Sequence, residues 1–439
     1  MTDIVRRAGA FATIGTLVLV APIAEYAAVA AFLVIGLLAA FVVTDGPVFE
    51  LFARPGDRKS DRLYGLAGFS LATAGLALLA VLPGFELPIP VLVGTVLLLS
   101  YGNAGEQVIR DHVPSEIAGT VGFGLVAFLA AGGGMLAAAS LSGAQLPLTG
   151  EVVFLAAAGA LLAALLRSAL FEHDDPVVLL SVGLLLWFLA GLTVPTPLII
   201  VLAALAVTLA LGYASFALGA ASIPGMLTGI FFGLLTIVLG GPAWFAILVT
   251  FFGVGALATK YRYEQKLDNG VAQANQGARG SGNVLGNSAI ALLALLGFAA
   301  SPDLLDLPEA MFLYAFAGSL ATALSDTLSS EIGGVYDEPR LVTTLEVVEP
   351  GTDGAVTWQG AVAGIAGASA IAAISMLLFP TVGLAGLIIV IFAGFVGMNA
   401  DSVFGATMEG THLGNQGVNF LATVAGAITA AGLALLLGL

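Results

Sequence analysis

Apolar runs of helix length follow one another from end to end of this 439-residue chain, and that pattern leaves it few folds to choose from. In hydrocarbon every backbone N–H and C=O must be satisfied internally, so such runs become membrane-spanning helices. The expected spans are roughly 8–22, 24–43, 64–83, 87–101, 116–138, 151–170, 177–193, 196–214, 222–240, 243–258, 284–299, 309–328, 357–378, 381–403 and 416–438. This is an all-α polytopic membrane protein of about fifteen helices. Hydrophobic residues make up 59% of the chain, charged residues 9%, and mean hydropathy is +1.06, which excludes an ordinary soluble domain. The 57 glycines suit close helix packing in lipid. The absence of Cys excludes disulfides, thiol catalysis and cysteine metal sites, and His112, His173 and His412 are too scattered for a histidine zinc site.

The net charge of −15, with Lys59, Lys260 and Lys266 the only lysines, resembles the composition of proteins from salt-loving microbes and argues against nucleic acid as a partner. Arg6-Arg7 before a short apolar run has the outline of a signal peptide. The apolar pattern continues at once into a second span, so this is read as a first membrane helix. With the N-terminus in the cytoplasm, all thirteen Lys and Arg residues fall on the cytoplasmic side of the expected spans, as basic loop residues do. The same topology gathers the polar segments 54–62, 101–116, 260–287, 325–357 and 399–415 on that face of a cell membrane.

The most informative polar stretch runs from Thr322 to Gly334, directly after an apolar segment without charges. Asp326 there lies at or just inside the end of a membrane helix, where a carboxylate is expensive and is usually kept to bind a cation, a proton or a substrate. Asp326, Ser329, Ser330 and Gly333 form a helical stripe. Glu331 lies about 140° away on that wheel, so it meets the same ion only if the helix unwinds near Ser329 or a second segment folds over. Gly394, Gly397, Asp401 and Gly405 share one face of a later helix, with Asn399 nearby, so a neighbouring helix can pack tightly against Asp401. Two such carboxylates are the minimum for a Mg²⁺ bridging nucleotide phosphates.

Other segments offer anion sites. Gln276-Gly277-Ala-Arg279-Gly280-Ser281-Gly282-Asn283, just before a helix, lets backbone N–H groups and a guanidinium approach a phosphate, or is simply a flexible loop. Asn283 and Asn287 put two amides on one helix face. Gly351-Thr352-Asp353-Gly354 reads as a turn and a helix start, with Thr352 or Asp353 as N-cap. A weak internal duplication pairs this order of motifs with Tyr101-Gly-Asn103-Ala-Gly105-Glu106 and Gly119-Thr120-Val-Gly122 in the first half, and suggests domains 1–176 and 177–439.

Together, Arg279-Gly-Ser-Gly-Asn283-Val-Leu-Gly-Asn287, Ser325-Asp326-Thr-Leu-Ser-Ser-Glu331-Ile-Gly333, Gly351-Thr-Asp-Gly354-Ala-Val and Asp401-Ser-Val-Phe-Gly405-Ala-Thr resemble the membrane family that contains transmembrane protein 19 and the plant phytyl-phosphate kinase, over about Val201 to Leu439. The first half is distantly similar to the phytol and dolichol kinases, without the acidic residue those enzymes carry before their Gly-Thr loop, and is read as degenerate. The resemblance implies a kinase that converts a prenyl monophosphate, of phytyl or geranylgeranyl type, to the diphosphate with CTP or another nucleoside triphosphate and Mg²⁺. It implies Asp326, Glu331 and Asp401 as catalytic metal ligands, and Arg279, Ser281, Asn283, Asn287 and Thr352 as phosphate contacts, with Lys260, Ser330 and Asn399 as further candidates. The rival readings are a cytidylyltransferase that forms a CDP-lipid and a membrane transporter built on tandem repeats.

Overall fold

The computed structural model describes residues 3–143, 149–169, 175–272, 279–301, 304–409 and 413–439. His173, Gln276, Gly277 and His412 lie outside these residues. Among the described residues the regular structure is helical, apart from one two-residue strand pair, and the chain folds as two compact units, Met1–Ala203 and Ala204–Leu439.

The first unit contains α1 (Asp3–Thr16), continued by a 3₁₀ turn, then α2 (Glu25–Phe41), α3 (Gly46–Phe52), α4 (Asp57–Ser60), α5 (Tyr64–Val81), α6 (Ile89–His112), α7 (Glu116–Leu141), α8 (Thr149–Ala169) and α9 (Asp175–Ala190). The helix α9 packs on α5, α6 and α8 and so belongs to this unit, which puts the boundary inside α10 (Leu198–Ala217) rather than at 176/177. The second unit continues with α11 (Ile223–Leu235), a π-turn to Gly240, α12 (Pro242–Lys260), α13 (Tyr263–Asp268), α14 (Ser281–Ala300), α15 (Glu309–Gly333), α16 (Trp358–Leu378), α17 (Gly383–Met408) and α18 (Asn415–Leu437).

Each expected span coincides with a helix, but the count of membrane-crossing helices is smaller than fifteen. Among the described residues eleven are long and apolar enough, or twelve if α2 and α3, bent by 102°, form one broken span. The shortfall has local causes: α1 has 14 residues and α9 has 16, while α6 turns polar from Tyr101 onward. Strands β1 (Arg340–Leu341) and β2 (Ala355–Val356) pair antiparallel, with Arg340 opposite Val356, and tie down the two ends of the segment between α15 and α16.

The second unit is built around α15, against which α14, α16, α17 and α18 all pack. Small residues allow the approach. A Cβ on Gly426 would stand 1.9 Å from Thr322 Oγ1, and one on Gly397 would stand 2.1 Å from the same atom. Gly364 is similarly filled by Met398, and its carbonyl accepts a 2.6 Å hydrogen bond from Ser325 Oγ. In lipid such packing and interhelical hydrogen bonding, rather than hydrophobic exclusion, hold helices together. Gly426→Val therefore lowers the melting temperature in detergent sharply, by overpacking worth about 1–3 kcal/mol or more. Gly432→Val, at a glycine whose Cβ would meet nothing within 4 Å, stays within about 0.5 kcal/mol of the parent.

Candidate functional site

A cavity of about 360 Å³ opens at the end of α15, between that helix, α17, the Gly351–Gly354 turn and the start of α16. Four carboxylates line it, Asp326, Asp353, Asp401 and Glu409, together with Ser329, Ser330, Thr352, Thr357, Ser402 and Asn415. No Lys or Arg is among its described lining residues.

The turn is pressed onto α17 by glycine. Gly354 has φ +76°, and a Cβ there would lie 2.5 Å from both Ser402 O and Ala406 Cβ, so a side chain is excluded by conformation and by space. Thr357 caps α16, its Oγ1 accepting from Gly360 N at 3.1 Å, and Gly333 meets Gly360 closely enough for the end of α15 to reach this helix start. The cavity thus joins two carboxylate-bearing helices to a helix N-terminus, whose partial positive charge suits an anion.

Asp326 and Asp401 line the same cavity from the packed helices α15 and α17, and their carboxyl groups interact directly across that contact. Two carboxylates in that relation need a proton or a cation between them. A polar chain of amides supports the pair from behind. With its amide oriented to satisfy both neighbours, Asn419 donates to Asp401 Oδ1 at 3.1 Å and to Asn415 O at 3.2 Å, and accepts from Asn287 Nδ2 at 3.2 Å. Asn287 Nδ2 also donates to Asn283 O at 2.9 Å. At the mouth, burial pushes Glu409 above the usual carboxylate range and the charge of Asp353 adds to this, while a hydrogen bond from Asn415 opposes it.

Glu331 does not join this group. Helix α15 runs unbroken past Ser329 to Gly333, so Glu331 stays on another face and forms a buried ion pair with Lys266 at 2.5 Å. Lys266 Nζ also donates to Ala258 O at 3.2 Å and Thr259 O at 2.6 Å, which uses its three protons. Both side chains are almost fully buried, and Glu331 Oε1 has no hydrogen-bond partner among the described residues. As a metal ligand beside Asp326, Glu331 is displaced by this pairing. Lys260 is also elsewhere, donating to Leu218 O at 2.8 Å, and Asn399 turns back to Phe395 O at 2.7 Å. Ser330 and Thr352 line the cavity, Asn287 and Asn283 stand behind it, and Ser281 opens α14 beside Arg279.

Sequence reasoning overlooked Lys266, Glu409, Asn415 and Asn419. Glu409 was within reach, since Asp401, Gly405 and Glu409 recur every four residues. Asn419, a lone amide near the start of an apolar helix, gave no comparable signal.

In the first unit the polar helix end is differently occupied. Asp175 takes hydrogen bonds from Arg54 and Arg167, and Glu106 from Arg110 at 2.8 Å and Arg167 at 3.0 Å. Arg167 also donates to Asn103 Oδ1 at 3.1 Å. Carboxylates there are neutralised by arginines of the same unit, whereas the acidic cavity has no such partner among its described lining residues.

The fold and the cavity define a polytopic helical membrane protein with an acidic site at one end of the bundle around α15. The chain belongs to the integral membrane protein DUF92 family, which it matches over residues 206–427. It is 35% identical over 215 residues to an uncharacterized membrane protein of Methanocaldococcus jannaschii, covering 46% of this chain and 82% of that protein. A second uncharacterized membrane protein, from Synechocystis sp., is 35% identical over 198 residues, 44% of this chain and 75% of its own length. Protein VTE6, chloroplastic, of Arabidopsis thaliana is 36% identical over 151 residues, 33% of this chain and 43% of that protein. No solved structure matches.

Two outcomes follow from the site. Lys266→Met leaves Glu331 as an uncompensated buried charge and lowers stability by about 3–5 kcal/mol, while Lys266→Met/Glu331→Leu recovers most of the loss, as read from melting in detergent. For Glu409, a carboxyl whose pKa is raised by folding stabilises the fold at low pH and loses that contribution as pH rises through the folded value. In a divalent-free buffer, Glu409→Gln shows a flatter decline of melting temperature with rising pH than the parent.

Proposed function

We propose that the second unit is a membrane phosphotransferase that phosphorylates a prenyl monophosphate to the diphosphate, using CTP or another nucleoside triphosphate. The observation that carries this reading is the pairing of Asp326 and Asp401 in one cavity with four carboxylates and no described basic lining residue, facing a Gly-Thr-Asp-Gly turn and a helix start. The motif resemblance to the phytyl-phosphate kinase family supports the substrate class.

The donor set suits Mg²⁺. Among the described residues no three carboxylate or histidine groups converge as a ready metal cage. Mg²⁺ is ordinarily held by one or two carboxylates and completed by water and phosphate oxygens, which fits the pair Asp326 and Asp401. When bound there, the ion would neutralise nucleotide phosphate oxygens. The protein's own part is positioning. Thr352, Thr357 and the backbone of the 351–354 turn lie where the end of a triphosphate would rest, and the start of α16 favours its negative charge.

An oxygen of the prenyl phosphate attacks the γ-phosphorus, and the bridging oxygen leaves with the nucleoside diphosphate. The acceptor is already an ionised nucleophile, so no side chain is required as a general base. Alignment and charge neutralisation dominate. In our topology the site faces the cytoplasm, where nucleotides are available.

The test is turnover by purified protein in detergent with Mg²⁺, geranylgeranyl or phytyl monophosphate, and CTP against ATP, with lipid and nucleotide products resolved. Lipid diphosphate and nucleoside diphosphate are expected, reduced at least about 100-fold in Asp326→Asn and in Asp401→Asn. Release of pyrophosphate with a CDP-lipid would replace the kinase with a cytidylyltransferase, and absence of any turnover from folded protein would favour a carrier.

A further inference from the structure

A second cavity, of about 290 Å³, lies between α10, α11 and α12 and differs from the acidic one in every respect. Its wall is apolar, including Met226, Phe245, Leu248, Val249 and Phe252, and among the described lining residues Arg279 is the only charged one.

The placement of Arg279 is specific. Its N–H donates to Ala220 O at 3.0 Å, and its C=O accepts from Ser222 N at 3.1 Å and from Ser222 Oγ at 3.3 Å, which fixes the backbone against the start of α11. Gly225 makes this approach feasible, because a Cβ there would stand 2.1 Å from Arg279 O. Gly255 clears space for the guanidinium, since its Cβ would lie 2.8 Å from Nη2, and the cation sits over the ring of Phe251 at 5.7 Å. Arg279 is 8% exposed, yet among the described residues its guanidinium has no hydrogen-bond acceptor. Burial lowers its pKa, with the charges of Glu331 and then Asp326 acting in opposition, and an arginine remains charged under such pressure. A buried cation without a hydrogen-bond acceptor among the described residues, at the start of two helices, α11 and α14, calls for an anion.

The glycines around the cavity fall into two kinds. Gly212, Gly225, Gly233 and Gly255 are pressed against neighbours. Gly229 and Gly253 also line the cavity, but a Cβ on either would meet nothing within 4 Å. These two leave room rather than permit packing. At the rim, Leu211 and Leu218 are 48% and 71% exposed, as suits an opening to lipid acyl chains.

We propose that this cleft seats an anionic isoprenoid lipid, with its chain along the glycine-opened wall of α11 and α12 and its phosphate on Arg279. The proposal rests on the phosphotransferase reading and gives it an acceptor site separate from the acidic cavity. The head group would stand within electrostatic reach of Asp326, while the tail leaves sideways into the membrane. Gly229 and Gly253 would then set how bulky a chain is accepted.

Binding without turnover tests this. The full chain in lipid nanodiscs, free of nucleotide and Mg²⁺, is titrated with radiolabelled geranylgeranyl monophosphate and with geranylgeraniol, and melting temperatures verify that each variant is folded. The parent is expected to bind the monophosphate at least about tenfold more tightly than the alcohol. Gly229→Phe and Gly253→Phe weaken both ligands about tenfold or more, and Arg279→Gln abolishes the preference for phosphate while leaving the alcohol's affinity unchanged. Equal affinity for the two ligands in the parent, undiminished binding in both glycine variants, or a phosphate preference retained in Arg279→Gln would each overturn the proposal. If Arg279 serves only to balance Glu331, Arg279→Gln loses stability and keeps the preference. Expected binding without phosphorylation by any nucleotide would remove the kinase reading and leave the cleft. Parent-like phosphorylation by both glycine variants would remove the cleft and leave the kinase.

Discussion

The contact between Asp326 and Asp401 is the constraint on which the rest of the second unit depends. Two carboxylates cannot meet inside an apolar bundle unless a proton or cation lies between them and unless the helices carrying them come close. The first condition sets the electrostatics of the site. The second accounts for the glycines and the alanines along α15, α16, α17 and α18, where a single added methyl group would collide with Thr322 or Met398.

Around that contact the charges are separated by purpose. Lys266 and Glu331 satisfy each other in the interior and tie the segment after α12 to the end of α15. Such a pair contributes little net stability over an apolar substitute, but neither member tolerates the loss of the other. Arg279 stands apart from it in an apolar cleft, and the acidic cavity keeps its carboxylates without described basic partners.

The two units share a class of element but not a charge pattern. Arg167 in the first unit reaches Glu106, Asn103 and Asp175 at once, so the polar end of α6 is held by an arginine of the same unit.

Sequence alone determined that this chain is a multi-helix membrane protein, because hydrocarbon accepts only backbone that satisfies itself and apolar runs of that length have no other outcome. It also singled out Asp326 and Asp401, because a carboxylate inside an apolar run is costly enough to stand out. Which carboxylates meet was decided by tertiary structure. Glu331, five residues from Asp326, went to Lys266 because α15 does not unwind, whereas Asp401, 75 residues away, came into contact because Gly397 and Gly394 let α17 approach. Asn419 and the cleft around Arg279 were likewise invisible in one dimension. An isolated amide or a glycine beside a pocket reads the same as any other until packing shows what surrounds it.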